Sequence, residues 1–221
     1  MNTLPSEKIS TLLFDCNRFE LTTLADSLRL LGLEIVASAS ESQSAYAQFA
    51  SLRPRSVVIN FQGCDKGCLD LLFRMRRESP YLGIVILTDS PDLRLYGIHE
   101  SDLPKGTQLI EKSAMTSIAQ IRDAIESSLK VNAEVQWIAN EWSPTLDSLT
   151  DIQIETLRLL AQGLSNSDIG RTRYVSEKSV EQTITRIAQH LNIVHERGRN
   201  MRVILASEYY KWIGAPREHA I

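Results

Sequence analysis

The chain divides by the period of its apolar residues. Over residues 1–130, short β-branched runs alternate with helical patterns; the runs are Ser10–Phe14, Glu34–Ala37, Val57–Phe61, Ile84–Leu87 and Gln108–Ile110. Runs this short and this continuously apolar suit parallel strands covered on both faces. Between them Leu21, Leu24, Ala25, Leu28 and Leu31 recur at helical spacing, as do Leu69, Leu72 and Met75. Ser40 followed by Gln43 predicts a capping box opening a helix through Ala45, Phe49 and Leu52. Ser113 is expected to cap a helix whose inner stripe is Ile118, Ile121, Ile125 and Leu129. The helical pattern is weakest between Pro91 and Gly106. Strand–helix alternation repeated five times predicts a doubly wound α/β domain.

From Val131 to Ser148 the pattern loosens around Trp137, Ile138 and Trp142, which predicts a linker, helical at its start, ahead of Pro144. After Thr150 the strand pattern is gone. Helices are expected over Asp151–Gln162, Ser167–Arg173, Glu177–Leu191 and Asn200–Trp212. Gly163 sits where the first should stop, and Ser165 and Ser176 each precede a helical pattern as N-caps. The expected domains are therefore 1–130, a linker at 131–148, and a small all-α module of four helices at 149–221.

Within that module, the run from Leu149-Thr150 through Leu157-Arg158-Leu159-Leu160-Ala161-Gln162-Gly163-Leu164-Ser165-Asn166-Ser167-Asp168-Ile169-Gly170 and Val175-Ser176-Glu177-Lys178-Ser179-Val180 to Ile187 and Leu191 resembles the LuxR-type helix-turn-helix. The residue pattern agrees with what the resemblance implies. Val180, Ile184, Ile187, Ala188 and Leu191 form one stripe of the helix opened by Ser176. Lys178, Glu181, Gln182, Thr185, Arg186 and Gln189 form the opposite face, fit to enter a major groove beside Ser179. Lys178 and Arg186 suit guanine edges or phosphates, and the Gln182 amide suits adenine. Arg171, Arg173, Arg197 and Arg199 are candidates for backbone phosphates. Two residues depart from the family: Glu181 stands where a basic or neutral contact is usual, and Gln153 replaces the glutamate of the opening turn. A carboxylate facing phosphates weakens binding, so dimerisation is expected to help. Tyr209, Tyr210 and Trp212 offer either a dimer face or closure of the small core.

The α/β domain followed by this module is similar to the CheY-like receiver domain, (βα)5, of NarL/FixJ-type response regulators. That resemblance implies a strand-end acidic pair for magnesium, an aspartate phosphoryl acceptor after the third strand, and a hydroxyl and a lysine on the next two. Asp15 fits one acidic position, but its neighbour is Cys16; the acceptor position is Asn60; Thr88 and Lys112 fit the last two. An amide is not the charged nucleophile that attacks a phosphoryl donor. Magnesium wants several hard oxygen ligands, and two of three carboxylates are missing. A pseudo-receiver without cofactor is expected. Cys16, Cys64 and Cys68 map to one end of the sheet. They are either small fillers of an emptied pocket or thiolates able to sense oxidant or hold a soft metal.

Composition adds mainly exclusions. The 221 residues are 43% hydrophobic and 23% charged, with a formal charge of −3, an ordinary folded composition. No apolar run is long enough to cross a bilayer. Residues 1–10 lack the order of a signal peptide, so a cytoplasmic protein is expected. Three cysteines, an odd number, speak against a disulfide framework. Residues 1–144 hold 14 Lys/Arg against 18 Asp/Glu, a balance of −4, and residues 145–221 hold 10 against 9, or +1. No nucleophile–base pair or Gly-rich phosphate loop points to an enzyme. The leading expectation is a dimeric transcription regulator on an inverted repeat of double-stranded DNA. Two alternatives stay open: a conventional phosphate-switched regulator, and an adaptor whose receiver surface docks a protein partner while its DNA contacts are vestigial.

Overall fold

A computed structural model describes residues 8–61, 66–130, 134–139, 144–193 and 198–213. The chain forms two compact units. One comprises Met1–Thr88 with Glu100–Glu141, and the other Asp89–His99 with Trp142–Ile221.

The first unit is a parallel sheet of β1 (Ser10–Phe14), β2 (Glu34–Ala39), β3 (Ser56–Phe61), β4 (Gly83–Thr88), β5 (Gln108–Glu111) and β6 (Gln136–Ala139), in the order β2-β1-β3-β4-β5-β6. Every residue of β3 and β4 is buried, as strands covered on both faces require. Strand alternation sends Leu13, Val58, Val85, Leu87 and Ile110 to one face. There they meet Leu21, Ala25 and Leu28 of α1 (Arg18–Leu30) and Ile121, Ala124 and Ile125 of α4 (Ala119–Ser128). On the other face α2 (Ser42–Leu52) and α3 (Lys66–Glu78) pack together, burying Ala45, Phe49, Leu72 and Met75. Asn17 caps α1 by accepting from the backbone N–H groups of Phe19 and Glu20.

Four local expectations are corrected. The N-cap of α2 is Glu41, not Ser40, and no side chain caps it. Ser113 lies in a 3₁₀ turn and donates to the Glu111 carboxylate; α4 starts only after Ile118. Between β4 and β5 no α-helix forms, only 3₁₀ turns at Leu93–Tyr96 and Glu100–Asp102. Pro91, Gly97, Pro104 and Gly106 punctuate this stretch too closely for a helix, and Gly97 and Gly106 take positive φ. The stretch read as a linker contributes β6, hydrogen-bonded in parallel to β5. It has a neighbour on one side only, and so lacks the long β-branched run of the inner strands.

The second unit contains α5 (Pro144–Asp147), α6 (Asp151–Ala161), α7 (Asn166–Arg173), α8 (Glu177–His190) and α9 (Met201–Trp212). Leu146, Leu149, Ile154, Leu157, Ile169, Val180, Ile187, Leu205 and Tyr209 share its core with Leu95, which arrives from the β4–β5 connection. Arg94 fastens that connection: it pairs with Asp92 and Asp151 and donates to the Leu146 and Leu149 carbonyls. Tyr209 is buried and Tyr210 is exposed, its hydroxyl bonded to the Ala161 carbonyl; Trp212 packs on the same core.

Candidate functional site

The helix-turn-helix is built from α7, a three-residue turn and α8. Ser165 and Ser176 cap the two helices, each accepting from a backbone N–H three residues on. The turn is tight because Tyr174 adopts φ 55° and Val175 donates its N–H to the Gly170 carbonyl at 2.9 Å. A side chain at Gly170 would begin 2.8 Å from the Val175 carbonyl oxygen, so only glycine fits without displacement. One helix earlier, Gln153 completes a capping box with Thr150. The amide therefore does the capping work of the glutamate it replaces.

The periodicity of α8 divides it as expected. Val180, Ile184, Ile187 and Ala188 are buried, while Lys178, Glu181, Gln182, Thr185, Arg186 and Gln189 are exposed; Ser179 is half-buried. Arg171 is exposed and pairs with Asp168, whose carboxyl the Ser165 hydroxyl, and then the Arg171 charge, hold below the usual range. Arg173 differs from expectation. Only 10% of its side chain is exposed, and it pairs with Glu155 at 3.1 Å and donates to the Thr156 hydroxyl at 2.6 Å. It braces α7 against α6 and is not turned outward to meet a phosphate. Arg199 is exposed, and Arg197 lies outside the described residues.

At the carboxyl edge of the sheet, Asp15 follows β1 directly and Asn60 is the last residue but one of β3, and both are buried. The Asn60 Nδ2 donates to Asp15 Oδ2 at 2.7 Å and to Glu20 Oε2 at 2.9 Å. Lys112 pairs with the same Glu20 oxygen at 3.4 Å. Glu20 joins this cluster without a motif to announce it. Its sequence signal is a place in the first turn of α1, three residues after the N-cap, which carries it back over the end of β1. The edge thus holds two carboxylates bridged by one amide. Burial first of all pushes the Asp15 carboxyl upward, against the hydrogen bonds from Asn60 and the Asn17 backbone. Thr88 is fully buried, in register with Phe61 and Glu111.

Of the cysteines, Cys16 is exposed and Cys68 buried, while Cys64 lies outside the described residues, as does Trp142. Among the described residues no group of three His, Cys, Asp or Glu side chains is placed to hold a metal. No helix among them is long and apolar enough to cross a membrane.

The helix-turn-helix geometry coincides with a recognised class. Residues 147–199 match the family of bacterial regulatory proteins, luxR family. Most of the chain is similar to curated regulatory proteins. It is 23% identical over 188 residues to the DNA-binding transcriptional activator EvgA of Escherichia coli strain K12, covering 83% of this chain and 91% of that protein. It is 27% identical over 169 residues to a nitrate/nitrite response regulator protein homolog of Haemophilus influenzae, covering 74% and 80%. A solved structure of two RcsB dimers bound to two parallel DNAs shares the fold, with TM-score 0.56 and 16% identity over 92% of this chain and 98% of that one.

Proposed function

We propose that the protein is a DNA-binding transcription regulator of the response-regulator type that reads DNA with the outer face of α8. The observation that carries this reading is the division of α8 into a buried apolar stripe and an exposed face presenting Lys178, Gln182, Thr185 and Arg186. On this reading Lys178 and Arg186 meet base edges or phosphates and Gln182 meets adenine. Ser179 and Arg171 hold backbone phosphates beside the turn. Arg173 positions α7 through Glu155. The domain at 149–221 binds double-stranded DNA as a homodimer on an inverted repeat, because two-fold protein symmetry demands two-fold half-sites. It works in the cytoplasm, under residues 1–130 as its controlling head.

Control by aspartyl phosphate does not fit that head. A phosphoryl acceptor needs a carboxylate, and Asn60 supplies an amide whose two hydrogens are aimed at Asp15 and Glu20. Magnesium needs oxygen donors converging on it, and the group facing the two carboxylates is a nitrogen. The amide, together with the Glu20–Lys112 pair, supports a head set without covalent phosphate.

The test is anisotropy titration of a duplex selected by the full-length protein from a random pool. Lys178→Ala with Arg186→Ala is expected to cost about 1–3 kcal/mol for each side chain removed, and to lower the salt slope by about one for each phosphate left without its cation. Unchanged affinity sinks the reading. Acetyl phosphate with magnesium, followed by intact mass, is expected to leave the chain unmodified.

A further inference from the structure

At the opposite end of the sheet from Asp15 and Asn60, the first unit has a concavity. It is a cleft of about 540 Å³ between the end of α3, the Ser79–Leu82 turn, the Pro104–Gly106 turn and the end of α4. That size lies within the ordinary range for small-molecule sites. Its floor is tightly built, since a Cβ on Gly83 would collide with the Ser128 hydroxyl at 2.4 Å. Its two walls are joined by Arg76, which donates to the Pro80 carbonyl at 3.0 Å and to the Lys105 carbonyl.

The lining is chemically one-sided. Arg76, Arg77, Lys105 and Lys130 face the cleft, and no carboxylate lines it. Among the described residues none of these four forms an ion pair. Burial lowers the Arg76 pKa with no opposing carboxylate, as for a cation lacking a counter-charge. Glu78, the nearest acid along α3, is engaged with Arg74 and Tyr46. This cluster lies in a part of the chain where acids outnumber bases, so it reverses the local balance. Two aromatic rings, Phe73 and Tyr81, also line it and are exposed, Tyr81 to 80%. Cations without a carboxylate to pair with call for an anion, and open aromatic faces call for a flat ring.

We propose that this cleft binds a phosphorylated, ring-bearing small molecule of the nucleotide class, with its phosphates on Arg77, Lys105 and Lys130 and its ring against Tyr81 or Phe73. The site is separate from the outer face of α8, and its occupancy would give the head an input other than covalent phosphate.

The experiment titrates the full-length protein with N-methylanthraniloyl-ADP by fluorescence, with inorganic pyrophosphate and adenosine as competitors. Saturable binding is expected in the micromolar range, roughly, weakening with salt. Pyrophosphate competes well and adenosine poorly. Arg77→Gln with Lys105→Gln and Lys130→Gln, all exposed positions, weakens binding at least about tenfold without moving the melting temperature. Tyr81→Ala with Phe73→Ala weakens the nucleotide but not pyrophosphate. The proposal is overturned if the probe shows no saturation by about 1 mM, or if the triple variant binds like the parent. It is also overturned if Lys178→Ala with Arg186→Ala abolishes binding, which would place the probe on α8. Saturation by an oligoglutamate peptide in place of the nucleotide overturns it too, making the occupant a protein segment.

Discussion

The Tyr209 hydroxyl donates to the backbone carbonyl of Leu95 at 2.7 Å, joining the last helix of the second unit to the connection between β4 and β5. Leu95 is itself fully buried there. Leu95→Ala is expected to destabilise this unit by about 2–5 kcal/mol, the range for truncating a core leucine. Tyr209→Phe, which strands a buried carbonyl, should cost about 1–3 kcal/mol. Urea unfolding followed by circular dichroism measures both, and a Leu95→Ala chain as stable as the parent would show that the connection is dispensable.

Gly170→Ala should be worse than its size suggests. The added methyl starts 2.8 Å from the Val175 carbonyl oxygen, so the turn must open. A loss of about 1–3 kcal/mol is expected, together with weaker DNA binding as α8 shifts against α7. Ser176→Ala, which removes only the α8 cap, should cost about 1 kcal/mol and leave the turn intact. Anisotropy and thermal melting on the two variants separate turn geometry from helix stability.

Asp15 gives a pH signature. Its folded pKa is raised above the ordinary 3.8 by burial, so the folded state holds the proton more tightly than the unfolded one. The associated stability is fully present below about 3.8 and is lost as pH rises through the folded value. Asp15→Asn, which keeps an oxygen for the Asn60 amide, is therefore expected to melt above the parent at pH 7. The gap should close toward pH 3. Melting curves across that window check the sign, and a variant less stable at pH 7 would contradict it.

Asn60→Asp reverses the logic. It withdraws the donor shared by Asp15 and Glu20 and adds a third carboxylate. A loss of about 1–3 kcal/mol is expected at neutral pH in chelator, shrinking as the medium is acidified. Added magnesium should restore part of it in the variant and leave the parent unchanged, because only the variant presents converging oxygens. Calorimetry with and without the metal decides.

Glu181 is exposed on the face of α8 proposed to read DNA. Glu181→Gln should tighten DNA binding by about 0.3–1 kcal/mol at low salt, with the gain vanishing at high salt. A gain that survives salt would mean a direct base contact instead.

The sequence made the inner strands and α6 to α8 legible, because continuous apolar runs and helical stripes are period signals that tertiary packing does not override. Gly163, Ser165 and Ser176 act at the ends they marked. What escaped was decided at longer range. β6 is an edge strand whose pattern is too weak to announce itself, and the stretch after β4, already broken by its prolines and glycines, is recruited by another core. At the site, Asp15, Asn60 and Lys112 were readable from strand ends. Glu20 was not, since a helical residue reaching back over a strand leaves no local mark. Arg173 looked like a phosphate ligand on charge alone, and only packing shows Glu155 and Thr156 holding it.

The second unit is not one continuous stretch of polypeptide, since Asp89–His99 reaches it from between two strands. Transplanting residues 142–221 onto a foreign amino-terminal domain would carry α8 along but leave Arg94 and Leu95 behind, giving a hybrid with a hollow centre. Recombination between such genes should then succeed chiefly when both parents keep a matching β4–β5 connection, so modular exchange at the obvious junction is restricted by a short insert lying far upstream of it.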